Sequence, residues 1–149
     1  MGKTRERFIQ EGIGKYTRYL KPYADIEIKE LKEEKIHDLK DAPLIRKKEA
    51  ERIFKAIPKN VFFAALDERG QEFTSHEFAA FINGMLESGV KELIFIIGGA
   101  MGLDESIPQK ANKSIALSRW TVTHEMAKLV LLEQLYRAFT IIKGKTYHY

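Results

Sequence analysis

The stretch that decides the fold is LIFIIGGAMG at residues 93–102, followed by SIALSRWTVTH at 114–124 and EMAKLVLLEQLYRAFTIIKGKTYHY at 125–149. Five consecutive apolar residues, rich in isoleucine and phenylalanine and cut off by Gly98-Gly99, predict a short strand buried on both faces. A glycine turn, an apolar loop, a long helix and a polar aromatic tail follow in succession, an order that points to a nucleotide-type ligand site. Gly98, Gly99 and Gly102 lack a Cβ, so the main chain there can turn sharply and lie flat against a ligand. A strand-to-helix junction also uses glycine simply to reverse direction, and the spacing leaves both readings open. Asp104 is placed to cap a short helix whose regular course Pro108 limits. The Gly-Gly-x-x-Gly spacing is not the Gly-x-Gly-x-x-Gly dinucleotide fingerprint, and no Gly-Lys-Ser or Gly-Lys-Thr follows to make a phosphate loop. Neither a Rossmann dehydrogenase nor a P-loop NTPase is supported.

Upstream of this stretch, strands and helices alternate. Ile9, Ile13, Tyr16 and Leu20 recur at helical spacing and predict an amphipathic first helix that Pro22 ends. Ile26, Ile28 and Leu31 alternate with charged residues, as in a strand with one solvated face, and residues 32–41 read as a charged surface loop. Residues 44–57 predict a helix with Ala50, Ile53, Phe54 and Ile57 inward and Pro58 as its stop. Residues 61–66 predict a buried strand whose exit, Leu66-Asp67-Glu68-Arg69-Gly70, is closed by glycine. Ser75 begins a further helix, with Phe78, Phe81, Ile82, Met85 and Leu86 inward and Gly89 past its end. In the last helix Met126, Leu129, Val130, Leu132, Tyr136 and Phe139 spread over a wide arc, which suits core packing and, in addition, a dimer face. The pattern is that of an α/β domain with a parallel sheet covered on both faces and ligands at the carboxyl ends of the strands, where Leu66 and Gly98 fall.

With 149 residues, 44% of them hydrophobic, and no repeat or linker, the chain is expected to form a single domain over residues 1–149. The sequence shows neither an apolar run of about 18 residues nor a cleavable leader, so the expectation is a cytoplasmic protein with no membrane partner. Zero cysteines exclude disulfides, thiolate catalysis and cysteine-ligated zinc. The formal charge of +4 is concentrated in residues 1–23, where Lys3, Arg5, Arg7, Lys15, Arg18 and Lys21 face only Glu6 and Glu11. Such a surface attracts polyanions, RNA above all, although solvated lysines on an ordinary helix account for it too.

Several constellations fail on inspection. His76-Glu77 and His124-Glu125 open like zinc-protease helices, but Ala80 and Lys128 stand where the second histidine belongs, and no metal site is expected. Asp67 and Asp104 lie near the ligand edge as a conceivable general-base pair, yet turn and capping roles explain each more simply. Arg137 requires an anionic partner, carboxylate or phosphate, wherever it is buried. The tail of Lys143, Lys145, Tyr147, His148 and Tyr149 mixes cations with rings in a way suited to unpaired RNA bases and phosphates, or it is an ordinary frayed terminus.

Taken together, the glycine turn, the loop at residues 117–122, His124, the run LEQLYRAF at 132–139 and the terminal Tyr147-His148 resemble the RlmH family, SPOUT-class methyltransferases that modify pseudouridine in large-subunit ribosomal RNA. The resemblance extends from Gly2-Lys3 through Pro22-Tyr23, Leu66 and Gly70 to the tail. It implies an α/β SPOUT fold with a mainly parallel sheet, helices on both faces and a carboxyl-terminal trefoil knot. It implies a homodimer, with its active site at or near the interface, that uses S-adenosyl-L-methionine to methylate N3 of a pseudouridine in helix 69 of 23S rRNA within the assembled ribosome. By the same resemblance Leu66, Gly98, Gly99, Gly102, Leu117, Ser118, Arg119, Trp120, Thr121 and Val122 are the expected cofactor residues, and His124, Arg137, Tyr147 and His148 the expected catalytic ones. The rival readings are a non-catalytic ribosome- or RNA-binding protein that retains the fold, and a SPOUT methyltransferase acting on another RNA base. Two departures stand out: family members usually carry an apolar strand ahead of the Gly-Lys that is here Gly2-Lys3, so that this first strand is expected to be missing, and they commonly end on a basic residue where this chain has Tyr149.

Overall fold

The computed structural model describes residues 4, 6–34 and 38–145, with residue 39 described by its backbone alone. Five α-helices and three strands occur among them: α1 (Arg7–Leu20), α2 (Ala42–Ala56), β1 (Phe62–Glu72), α3 (Ser75–Glu87), β2 (Leu93–Ile97), α4 (Ser106–Lys110), β3 (Lys113–Ala116) and α5 (His124–Ile142). The strands form a parallel sheet in the order β2-β1-β3. Successive residues of a strand face opposite ways, and the central β1 uses this fully: Ala64 and Ala65 are both completely buried, one on each side. On one side Ala64 meets Leu20, Phe78, Ile82, Leu131, Leu135 and Phe139, from α1, α3 and α5. On the other, Ala65 and Ile96 meet Ala50 and Ile53 of α2 and Ile107 of α4. Side chains as small as alanine at the centre of the sheet let both helical layers approach it closely.

The helix ends follow local chemistry. α3 opens with a reciprocal cap: the Thr74 hydroxyl accepts from the Glu77 amide at 3.2 Å, and the Glu77 carboxylate accepts from the Thr74 amide at 2.7 Å. It closes at Gly89, which has the left-handed φ of +73°. α5 begins behind Thr123, whose hydroxyl accepts from the Met126 amide. Pro43 sits in the first turn of α2, where its missing N–H costs nothing, and thus the helix starts slightly earlier than the apolar spacing indicates.

Three expectations are corrected. β1 does not stop at Leu66: it pairs with β3 up to Leu66↔Ile115, makes an excursion over Asp67, Glu68, Arg69 and Gly70, and pairs again at Gln71↔Ile115 and Glu72↔Ala116. The segment KSIA, taken for part of an apolar loop, is the strand β3, too short for its periodicity to distinguish it from a loop. Residues 26–31 form no strand among the described residues. Their alternation is real, with Ile26 packed on the layer of α3 and α5 and Leu31 on the layer of α2, but a strand exists only when a neighbour supplies hydrogen bonds. Among the described residues no main-chain hydrogen bond joins residues 26–31 to another element. The charged segment at 32–41 contains a single 3-10 turn, Leu39–Asp41, in its described part.

Candidate functional site

The strand register brings distant parts of the sequence to one place. Leu66 is level with Ile97, the last residue of β2, on one side and with Ile115, next to the end of β3, on the other, so β2 and β3 end beside it while β1 runs on through its excursion to Glu72. Leu66, Gly98 and Leu117 therefore meet at one edge, all half-buried, where open α/β sheets present ligands to main-chain groups.

The glycine turn after β2 folds back on itself. Gly99 and Gly102 form an isolated bridge, the Gly102 amide donates to the Gly99 carbonyl at 3.0 Å, and Gly102 has φ +77°. A Cβ on Gly98 would stand 2.8 Å from the carbonyl carbon of Gly102 and 3.0 Å from the amide nitrogen of Leu103. The turn's own packing thus already demands glycine at 98, and its main chain is held in one shape before any ligand arrives. Asp104 accepts from both the amide and the hydroxyl of Ser106, which, led by the hydroxyl, holds its carboxyl below the usual carboxylate range. Arg46 of α2 reaches the Met101 carbonyl at 3.5 Å.

Loop 117–122 is tied to the excursion of β1. The Arg119 guanidinium donates to Glu72 at 3.1 Å, the Thr121 hydroxyl donates to Glu68 at 3.0 Å, and the Ser118 hydroxyl exchanges hydrogen bonds with the Trp120 main chain at 3.1 Å. Gly70 allows the excursion to lie on β3, since a Cβ there would come within 2.6–2.7 Å of the Ser114 and Ile115 main chain. Asp67 is gripped by Arg69 through the amide, Nε and Nη2. The guanidinium lowers the Asp67 carboxyl pKa against the opposing effect of burial. Both carboxylates are engaged within their own turns, Asp67 by Arg69 and Asp104 by Ser106, and the N-cap of α4 is Glu105, so Asp104 stands one residue ahead of the cap position expected of it. A cavity of about 550 Å³ opens between Glu68, Arg69, Gly70, Glu72 and Arg119. Trp120 is 82% exposed and Val122 44%, so both side chains face solvent in the single chain. Glu68 and Glu72, which orient the loop, were not singled out in the sequence. Their signal is a pair of carboxylates flanking Gly70, legible only once the excursion is seen to lie beside the loop.

Helix α5 carries the remaining described candidates. His124 is its first residue, half-buried, two positions beyond the loop. Arg137 is paired with Glu133 one turn away, at 2.6 Å from Nη2 and 3.0 Å from Nε, both side chains about four-fifths buried at 21% and 19% exposure. The anionic partner that burial requires is thus a carboxylate of the same helix. Thirteen residues at 1.5 Å each separate His124 from Arg137 by about 20 Å along the axis, so one chain does not bring the two to a common atom. Tyr147 and His148 lie outside the described residues. Among the described residues there is no cluster of three or more metal-binding side chains, and no helix is long and apolar enough to cross a membrane.

Comparisons with known proteins give the family of the chain. The family model described as "Predicted SPOUT methyltransferase" matches residues 1–148. The chain belongs to the SPOUT methyltransferase family. Within that family it is similar to proteins named ribosomal RNA large subunit methyltransferase H. Those of Geobacter metallireducens and Geotalea uraniireducens are each 44% identical over 149 residues, all of this chain and 95% of theirs. That of Kosmotoga olearia is 45% identical over 148 residues, 99% of this chain and 95% of its own.

Proposed function

We propose that this SPOUT methyltransferase acts on large-subunit ribosomal RNA, transferring a methyl group from S-adenosylmethionine to N3 of a pseudouridine in helix 69 of 23S rRNA within the ribosome. The observation that carries the reading is the convergence of Leu66, the Gly98 turn and loop 117–122 where β2 and β3 end beside the excursion of β1. It is supported by family membership and by the printed names of the relatives.

The residues at this edge fit the methyl donor. Main-chain amides and carbonyls at 98–102 and 117–122 can read the polar edge of an adenine and a ribose, and the half-buried Leu66 and Leu117 offer apolar contact to the ring. When bound, the donor supplies a methyl group already activated on a positively charged sulfur. The protein's part is then to align that carbon with N3 and to exclude water. For N3 to accept the methyl group, its proton must pass to a base held by the protein. His124, Arg137, Tyr147 and His148 are the groups proposed to move that proton or favour the anion.

The span of α5 between His124 and Arg137 favours an active site assembled from two chains, with His124 and the loop of one protomer facing Arg137 and the tail of its partner. Exposed Trp120 and Val122 then have a surface to meet in the dimer. The carboxyl-terminal knot and the cytoplasmic location expected of the family belong to the same proposal. The test is incubation of ribosomes lacking the modification with the protein and labelled S-adenosylmethionine, followed by mass-spectrometric mapping. Label on N3 of a helix 69 pseudouridine supports the proposal, label on another base redirects it, and a folded protein that binds no methyl donor overturns it.

A further inference from the structure

The carboxyl edge has two chemically unlike zones. Around Leu66, the glycine turn and Leu117 it offers main chain and half-buried apolar side chains. Beside them, the cavity of about 550 Å³ is lined by Glu68, Arg69, Gly70, Glu72 and Arg119, with no apolar side chain among them. The two zones share their walls. The excursion that carries Glu68, Arg69 and Glu72 leaves directly from Leu66, and Arg119 stands two positions after Leu117. Arg69 also reaches toward Glu105, the N-cap of α4, at 3.9 Å, so the helix that follows the glycine turn borders the same place.

The lining carries two carboxylates and two guanidiniums, and neither sign is fully engaged. Glu68 accepts from Thr121 through Oε2 alone, and Glu72 accepts from Arg119 through Oε2 alone. Arg119 uses only Nε in that bond and is largely exposed. Arg69 turns Nε and Nη2 to Asp67, and its Nη1 lies beyond hydrogen-bond distance of Glu105. Among the described residues the cavity therefore keeps acceptors on both glutamates and donors on both arginines for an occupant.

An apolar occupant would take water from four charged groups and give nothing back, while a pure anion or a pure cation would meet like charge on one pair. A zwitterion meets both pairs with opposite charge. An ammonium suits the two carboxylates, and a carboxylate suits the guanidiniums, which can hold it through two N–H groups at once.

We infer that this cavity is the subsite for a free α-amino-acid group. The inference rests on the reading of the edge as a methyl-donor site, because S-adenosylmethionine joins such a group to an adenine nucleoside. Glu68 and Glu72 then take its ammonium and Arg69 and Arg119 its carboxylate, while the apolar zone takes the adenine. The subsite selects, among adenine nucleosides, those with an amino-acid end.

Calorimetry with two neutral thioethers isolates this end. S-adenosylhomocysteine carries the amino-acid group, methylthioadenosine is a thioether nucleoside without it, and neither brings a sulfonium charge into the comparison. The parent should bind S-adenosylhomocysteine at least about tenfold more tightly than methylthioadenosine. Glu72→Gln and Arg119→Gln, which stay polar and remove one charge, should each cut that preference by about fivefold or more, and Arg119→Lys should keep most of it. Variants that weaken both ligands in the same proportion would show that these side chains only hold the loop, which overturns the inference. The parent's own preference depends on no variant folding: equal affinity for the two compounds removes the subsite and leaves the donor reading standing, whereas a parent that binds neither removes both.

Discussion

The two edges of the sheet are built on opposite principles. On the β3 side main chain lies against main chain and polar ties hold it there. Asn112 clamps Phe63 in both directions, accepting from its amide at 2.9 Å and donating its own amide to the Phe63 carbonyl at 3.0 Å. Gly70 rests on Ser114 and Ile115, and Glu68 and Glu72 secure the following loop. On the β2 side a groove of about 960 Å³ lies between β2 and residues 23–31, lined by apolar side chains such as Leu131 and Leu135 and by charged ones such as Glu30, Glu92 and Lys128. A ligand site needs atoms fixed before binding, and the tied edge supplies them, whereas the groove is bounded by side chains with few such ties.

Adding volume to each edge tests this contrast most severely. Gly70→Val places methyl groups where β3 main chain already lies, 2.6 Å from the Ile115 amide nitrogen at the Cβ alone, and backbone cannot rotate aside as a side chain does. Urea denaturation should show a loss of about 3 kcal/mol or more, together with lost affinity for the methyl donor. Ala56→Val, in the wall of the groove, should cost under about 1 kcal/mol, chiefly its helix propensity. Comparable losses at the two positions would show that the edges are equally packed.

The glycine turn sharpens the same point. Gly98→Ala should weaken donor binding by about tenfold or more in calorimetry and lower the melting temperature, because its Cβ must displace Gly102 and Leu103. Gly84→Ala, in α3 with nothing within 4 Å of its Cβ, should leave affinity unchanged and stabilise by about 0.5–1 kcal/mol. Unchanged affinity in a Gly98→Ala protein that keeps its melting temperature would separate the turn from the site.

Arg137, about 20 Å along α5 from His124, divides cofactor binding from RNA chemistry. Arg137→Ala should leave the dissociation constant of the methyl donor within about twofold and reduce methylation of ribosomes by about a hundredfold. A defect confined to donor binding would contradict its assignment to the RNA side.

Asp67 gives a pH-dependent measure of the tied edge. Its folded carboxyl lies below the ordinary value of 3.8, mainly through the Arg69 hydrogen bond, so the unfolded chain takes up a proton first as the pH falls. The stabilisation is therefore complete above the unfolded value and disappears as pH drops through the folded one. Asp67→Asn should cost about 1 kcal/mol near neutrality, modest because Arg69 is largely exposed, and the difference from the parent should vanish once the pH has fallen below the folded value. A difference independent of pH would assign the effect to shape and not to charge.

Much of this was legible in the chain. LIFII followed by two glycines fixes a strand and its exit, and apolar spacing places all four long helices to within a few residues, because each signal is local. The excursion after Leu66 and the four-residue β3 were hidden because they exist only through each other: Gln71 and Glu72 pair with residues more than forty positions away. Residues 26–31 show the reverse, an alternation that packs Ile26 and Leu31 against the two core layers without forming a strand among the described residues. Of the site, the glycines and the loop were readable as types, while Glu68 and Glu72, the side chains that hold the loop, owe their role to tertiary proximity.

Trp120 closes the comparison with the smallest expected change in stability. It is the chain's single tryptophan, 82% exposed, and its loop is held by its neighbours Ser118, Arg119 and Thr121 while the indole itself contributes little packing. Trp120→Ala should therefore alter unfolding free energy by less than about 0.5 kcal/mol, since an exposed ring has little burial to lose. Its fluorescence, by contrast, reports directly on what the loop meets. Adding the methyl donor, or raising the protein concentration through a dimerisation range, should shift the emission to the blue as water leaves the ring. Emission unchanged by the donor and by concentration alike would mean that loop 117–122 meets neither ligand nor partner, and the tied edge would lose its claim to be the site.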